Sequence, residues 1–97
     1  MELGFFTMPI HPSGRSLTET LKEDYEFAMF GDELGYVEGF FGEHITDGAE
    51  NISSSLIFIA WVLRETKNIK LGTGTVNLPN HHPAMVAAEV AMVDHMA

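Results

Sequence analysis

The sequence predicts an α/β fold in which three parallel strands alternate with three helices. Three short apolar segments of strand length are each followed by a polar or glycine-rich turn and then by a segment with helical character. Strands separated by helices of this length pair in parallel through right-handed crossovers. The order β-α-β-α-β-α fills the chain as one unit, since the sequence has no repeat, linker or low-complexity tract.

The first βα unit is predicted from an apolar strand and a capped helix. Residues 2–8 form an apolar run that a Pro-rich loop ends. The helix is expected to begin at Leu17, because residues 16–19 have the spacing of a capping box, in which a Ser hydroxyl and a Glu carboxylate accept backbone N–H groups. Gly35 is expected to end it in the left-handed conformation.

The second unit is predicted as a strand over residues 37–42 and a helix over residues 53–67. Two adjacent phenylalanines in the strand indicate that both faces are covered, as a parallel sheet requires. We expect Arg64 and Lys67 in the last turn of the helix, where basic side chains complement the negative end of its dipole.

The third unit is predicted as a strand over residues 69–76 and a helix that begins at Pro83, where proline in the first turn loses no hydrogen bond. No stop signal precedes Ala97. We therefore expect the chain to be cut short, with three βα units of a longer series.

Length and composition limit the function classes. The 97 residues are enough for one small domain, whereas a closed eight-unit α/β barrel needs roughly 250. The net charge of −9 disfavours nucleic acid and anionic membranes as partners. The absence of cysteine excludes disulfides and thiolate chemistry. With no signal peptide and no apolar run of membrane-spanning length, we expect a cytoplasmic protein.

Two polar motifs follow the second and third predicted strands. Glu43-His44 follows the second strand, and the run Gly-Thr-Gly-Thr-Val-Asn-Leu-Pro-Asn-His-His-Pro occupies residues 72–83. Loops after parallel strands converge on one face of an α/β barrel, where active sites are built. The Gly-Thr-Gly-Thr segment lacks the Lys of a P-loop and the third Gly of a dinucleotide fingerprint. Glycine within a strand instead indicates a bulge or a close approach of backbone to a ligand.

These motifs resemble those of the luciferase-like flavin monooxygenases. The resemblance covers the whole chain and is specific between Gly42 and Pro83. It implies that residues 1–97 are the N-terminal part of a (β/α)8 TIM barrel, with the first three βα units, truncated before strand four. It also implies that reduced FMN (FMNH2) and O2 oxidise a small organic substrate, with a flavin reductase supplying the reduced flavin.

The resemblance implies His44 as the catalytic residue beside the flavin, where it handles protons as a base or hydrogen-bond donor. The alternative is an ordinary loop histidine that bonds to backbone. The resemblance also implies a non-proline cis peptide at Gly74-Thr75, on which the flavin ring packs. The alternative there is a plain bulge.

Other polar residues near the strand ends are expected to support the site. Asn77 is expected to contact the flavin edge or the substrate. Glu43 should point away from His44 along the strand pleat, so we expect it to hold a loop through a salt bridge or hydrogen bond. His82 is expected to cap the last helix. A zinc site of His44, His81 and His82 is disfavoured because adjacent histidines splay apart, so no metal is expected.

The helices over residues 53–67 and 83–97 are apolar on nearly all sides. A helix of this kind is buried on both sides, and the resemblance implies that these helices pack against their mates in a dimer. We therefore expect a homo-oligomer. The alternative is that the apolar excess only covers the sheet.

Two alternative functions stay open. One is a deazaflavin-dependent reductase of the same superfamily, and the other is a truncated, non-catalytic fragment or assembly module. Phosphate sites of barrels commonly follow strands seven and eight. We therefore expect residues 1–97 alone to bind flavin weakly.

Overall fold

Three strands and three α-helices alternate along the chain in the predicted order. The computed structural model describes residues 1–45 and 47–97. The elements are β1 (Gly4–Thr7), α1 (Leu17–Glu33), β2 (Glu38–Phe41), α2 (Ser55–Val62), β3 (Lys70–Thr73) and α3 (Pro83–Met96), with a 3₁₀ turn over Leu78–Asn80. Each strand is shorter than the segment predicted for it, which was 2–8 for β1, 37–42 for β2 and 69–76 for β3.

The strands form one parallel sheet in the order β1-β2-β3, which confirms the predicted pairing. Phe6 lies beside Phe40, and Phe40 lies beside Gly72, so these residues share one face of the sheet. The helices cover the opposite face. Phe6 and Phe40 are 59% and 37% exposed. The prediction that both faces are covered is therefore wrong for these 97 residues.

The core lies between the sheet and the helices. Its buried apolar side chains are Ala28, Phe41, Ile52, Phe58, Ile59 and Val62. The ring of Phe41 lies 5.6 Å from that of Phe5 and 4.8 Å from that of Phe58, centroid to centroid. Within the described residues, no helix is both long and apolar enough to cross a membrane.

Helix α1 begins at Leu17 as predicted, but not through a capping box. The Ser16 side chain makes no capping hydrogen bond. The backbone carbonyl of Ser16 accepts the first hydrogen bond of the helix, from Thr20 N at 3.0 Å. The predicted end is confirmed, with Gly35 at φ +84°. The N–H of Tyr36 bonds to Gly31 O at 3.0 Å, which is the long hydrogen bond of a Schellman motif.

Helix α2 is shorter than predicted, because the chain turns towards β3 after Val62. Arg64 and Lys67 lie beyond the helix, so the prediction that they complement its last turn is wrong. The Asp32 carboxylate accepts hydrogen bonds from the backbone N–H groups of residues 67–69 at 2.7–2.9 Å. The end of α1 thereby holds the start of β3.

Candidate active site

The carboxyl ends of the three strands are packed together at one edge of the sheet. Gly42 N donates to Thr7 O at 2.9 Å, and Gly74 N donates to Phe41 O at 2.7 Å. A Cβ atom added to Gly42 would lie 2.6 Å from Met8 Cγ and 3.0 Å from Gly74 O. The three strand ends therefore approach one another so closely that only glycine fits here. The loops that follow them start from a common edge.

Glu43 joins the loops after β2 and β3. Its Oε2 accepts from the backbone N and the hydroxyl of Ser55 at 2.9 and 3.0 Å. Its Oε1 accepts from Asn77 N at 2.8 Å and lies 3.3 Å from His81 Nε2. One carboxylate, 4% exposed, therefore fixes the N-terminus of α2 and the segment after β3 at the same time.

Hydrogen bonding keeps the buried Glu43 carboxylate ionised. Burial alone would raise its pKa. The hydrogen bonds from Asn77, Ser55 and His81 together outweigh burial and hold the pKa below its usual range. The bonds agree with the prediction that Glu43 holds a loop.

His44 lies in the loop after β2 with its side chain 38% exposed. Its backbone N donates to Ile52 O at 2.8 Å. Its ring Nδ1 contacts Oε2 of Glu50. The imidazole is thus paired with a carboxylate, and not with backbone as in the alternative interpretation. Its catalytic role stays a prediction.

The peptide bond Gly74-Thr75 is cis, which confirms the conformation that the resemblance implied. Gly74 is buried and Thr75 is exposed. A Cβ atom on Gly74 would lie 2.6 Å from the Phe6 ring and 3.2 Å from Phe40 Cβ. Gly74 therefore allows the chain to lie directly against the two phenylalanines of the uncovered sheet face.

This region fits the ring system of a flavin in its chemistry. An isoalloxazine is flat, with an apolar dimethylbenzene end and a pyrimidine end that carries hydrogen-bonding groups, so it needs an apolar surface with a few polar groups at its edge. Phe6 and Phe40 provide partly exposed apolar surface beside Gly74. Asn77 provides a polar group, because its Nδ2 donates to Glu43 O at 2.9 Å and holds the amide in place.

His82 caps α3, as predicted. Its Nδ1 accepts from the backbone N of Ala84 at 3.2 Å, and Pro83 occupies the first helical position. This bond satisfies an N–H group that the helix itself leaves free.

Each of the three loops contains a histidine whose ring contacts a carboxylate. The pairs are His11 with Asp24, His44 with Glu50, and His81 with Glu43. The sequence interpretation missed Glu50 and Asp24, because carboxylates in a polar stretch and on a helix show no pattern that marks them as partners. Among the residues that the structure describes, no three His, Asp or Glu side chains are grouped to hold a metal ion.

Comparison with known proteins identifies the family. The family model described as luciferase-like monooxygenase matches residues 1–97. The chain belongs to the luciferase-like monooxygenase family. As a member, it is 43% identical over 96 residues to 4-hydroxyprotoasukamycin monooxygenase of Streptomyces nodosus subsp. asukaensis. It is 35% identical over 97 residues to limonene 1,2-monooxygenase of Rhodococcus erythropolis. These matches cover 99% and 100% of this chain but only 26% and 25% of the relatives.

Solved structures of two monooxygenases contain the same fold. The oxygenating constituent of 3,6-diketocamphane monooxygenase from Pseudomonas putida, a type II Baeyer-Villiger monooxygenase in complex with FMN, superposes with a TM-score of 0.93 at 30% identity. The match covers 99% of this chain and 26% of that one. Monooxygenase RslO1 from Streptomyces bottropensis superposes with a TM-score of 0.88 at 26% identity. The predicted α/β fold, three βα units of a TIM barrel, is confirmed.

Proposed function

We propose that this chain takes part in flavin-dependent monooxygenation, in which reduced FMN and O2 oxidise a small organic substrate. The observation that supports this most is the shared sheet edge, where the His44 loop and the Gly74-Thr75 peptide start from backbones in direct contact. The FMN complex of the 3,6-diketocamphane enzyme supports the choice of cofactor. A flavin reductase is the proposed source of FMNH2, and the proposed location is the cytoplasm.

The proposed roles follow the positions of the residues. When bound, FMNH2 supplies the electrons that activate O2, while the protein supplies position and electrostatics. Gly74, Thr75 and Asn77 hold the flavin ring, and Phe6 keeps water away from its apolar face. His44 accepts and returns a proton at its free ring nitrogen.

Glu43 and His82 are proposed to hold the backbone around the site in place. The side-chain carboxylate of Glu43 accepts from the backbone N of Asn77, and the backbone carbonyl of Glu43 accepts from its side-chain amide. Glu43 thus holds Asn77 at two points. His82 fixes the start of α3. Neither residue is proposed to touch the flavin.

Flavin titration of the 97-residue chain tests the proposed ring site. We expect saturable quenching of flavin fluorescence with a Kd weaker than micromolar, that is, weaker than about −8 kcal/mol. Riboflavin should bind about as well as FMN, because the proposed contacts involve the ring and not the phosphate. Gly74→Val should abolish binding, since the valine side chain would displace the ring of Phe6 and crowd the side chain of Phe40.

Gly48→Val is the matched control, because a Cβ atom there meets no atom within 4 Å. It should bind flavin as the unchanged chain does. FMN binding much tighter than riboflavin binding would show that a phosphate anchor lies within these residues. Equal binding by Gly74→Val and the unchanged chain would contradict the ring site.

A further inference from the structure

We propose that Glu50 is a positioning residue for His44: it holds the imidazole with hydrogen on Nδ1, so that Nε2 is left as the proton acceptor. The transfer of a proton to Nε2 of His44 during catalysis rests on the proposed function. The pairing itself rests on the geometry of the loop.

The His44–Glu50 pair is enclosed on one side and open on the other. Nδ1 of His44 and Oε2 of Glu50 are both shielded from solvent and contact each other, and neither atom makes a hydrogen bond to any other described residue. The His44 side chain is nevertheless 38% exposed, against 15% for Glu50. Since Nδ1 is shielded, the exposed part of the ring is its other side, which contains Nε2.

Backbone hydrogen bonds fix both members of the pair. Glu50 forms an antiparallel bridge with Ile10, and His11 N donates to Ala49 O at 2.8 Å. The loop after β1 therefore holds Glu50, while the bond between His44 N and Ile52 O holds His44. The carboxylate is positioned by the main chain of two loops, unlike that of a freely rotating surface glutamate.

The paired nitrogen decides which tautomer each histidine adopts. A neutral imidazole has one donor and one acceptor nitrogen, and a carboxylate only accepts, so the nitrogen facing the carboxylate carries the hydrogen. His44 meets its carboxylate through Nδ1, whereas His81 meets Glu43 through Nε2. His11 has carboxylates near both nitrogens, at 2.9 and 3.8 Å. Of these three, His44 combines a carboxylate on Nδ1 with an exposed ring.

Nitrogen-15 NMR of the 97-residue chain with labelled histidine tests the pairing. At pH 8, where imidazoles are ordinarily neutral, we expect the Nδ1–H form for His44 and the Nε2–H form for His81. Glu50→Ala should remove the Nδ1–H form of His44 and leave His81 unchanged. Glu50→Gln should retain it, because the amide oxygen still accepts a hydrogen bond.

Glu33→Ala is the matched control, since it removes an exposed glutamate at the end of α1. It should alter no histidine signal. The Nε2–H form for His44 in the unchanged chain, or an unaltered His44 in Glu50→Ala, would overturn the proposal. The NMR experiment needs no flavin. An intact pair in a chain that fails the flavin titration would therefore count against the proposed function and not against the pair.

Discussion

At the scale of single residues, the site is organised by carboxylates that each bind groups from separate parts of the chain. Glu43 binds Ser55 and Asn77, which are 12 and 34 residues away. Hydrogen bonds to charged groups contribute roughly 1.5–3 kcal/mol each. The loops after β2 and β3 are therefore fixed relative to each other before any ligand binds.

His44→Ala tests the catalytic role at this scale. In an enzyme that contains this chain together with the rest of a barrel, we expect oxidation to slow by about 10²-fold, the lower end for loss of an acid–base group. Flavin binding should change little, because the proposed ring contacts lie at residues 74–77. Stopped-flow kinetics with FMNH2 and O2 measures the rate. An unchanged rate would show that His44 moves no proton in the slow step.

At the scale of the elements, the sequence predicted existence and order better than ends. The Gly35 stop of α1 was predictable because left-handed backbone selects glycine. The course of the turn between α2 and β3 was not, since Asp32 binds the N–H groups of Lys67 and Asn68 there from 35 and 36 positions away. Long-range hydrogen bonds of this kind leave no periodic signal in the sequence.

In the candidate site too, features that depend on local sequence could be predicted, and those that depend on distant partners could not. His82 could be predicted as a cap because a histidine before proline at a helix start is a local pattern. Loop holding by Glu43 could be inferred from the strand pleat, but its partners Ser55 and Asn77 could not. The partner of His44 depends on the bridge between Ile10 and Glu50, which only the folded chain creates.

Asp32→Asn tests how strongly α1 holds β3. Burial would raise the pKa of Asp32, but the three backbone hydrogen bonds and Lys67 lower it below its usual value. The stabilisation by the ionised carboxylate is therefore present above the unfolded-state pKa of about 4, and is lost as pH falls through the lower folded-state pKa. We expect Asp32→Asn to lower the free energy of unfolding by about 1–3 kcal/mol at pH 7.

Urea unfolding at several pH values measures this difference, which should begin to shrink below about pH 4, where the unfolded carboxylate takes up a proton, and should be lost below the folded-state pKa, where Asp32 and its Asn replacement are both uncharged. Glu33→Gln changes charge equally at the neighbouring exposed position and should have little effect. A difference that is constant from neutral to acidic pH would show that the charge of Asp32 is not what stabilises the turn.

At the scale of the whole molecule, exposed large apolar side chains lie on all three helices and on the uncovered sheet face, and we expect those of α2 and α3 to form the interface. Ile57, Trp61, Met85 and Met92 are exposed large apolar side chains on the two helices. In the part of the chain that the structure describes, β1 and β3 each have one edge without a partner strand. A net charge of −9 opposes association of copies. The balance of these terms predicts association that becomes stronger as salt screens the charge.

We expect the 97-residue chain to form dimers or larger assemblies at micromolar concentration, measured by sedimentation velocity. Ile57→Glu should shift the distribution towards monomer, because it places a charge on the apolar face of α2. Leu17→Glu makes the same change at an exposed position on α1 and should not. A monomer at every salt concentration, or equal effects of the two variants, would contradict the predicted interface.

The backbone hydrogen bond between His44 and Ile52 has a consequence for protein engineering. Because this backbone hydrogen bond of 2.8 Å joins the two ends of the loop, the segment between them can be exchanged as one unit between relatives. Grafts with their junctions at these two residues would leave β2 and the start of α2 unchanged. A graft that omits an acidic residue at the place of Glu50 would transfer the shape of the loop without the partner of its histidine.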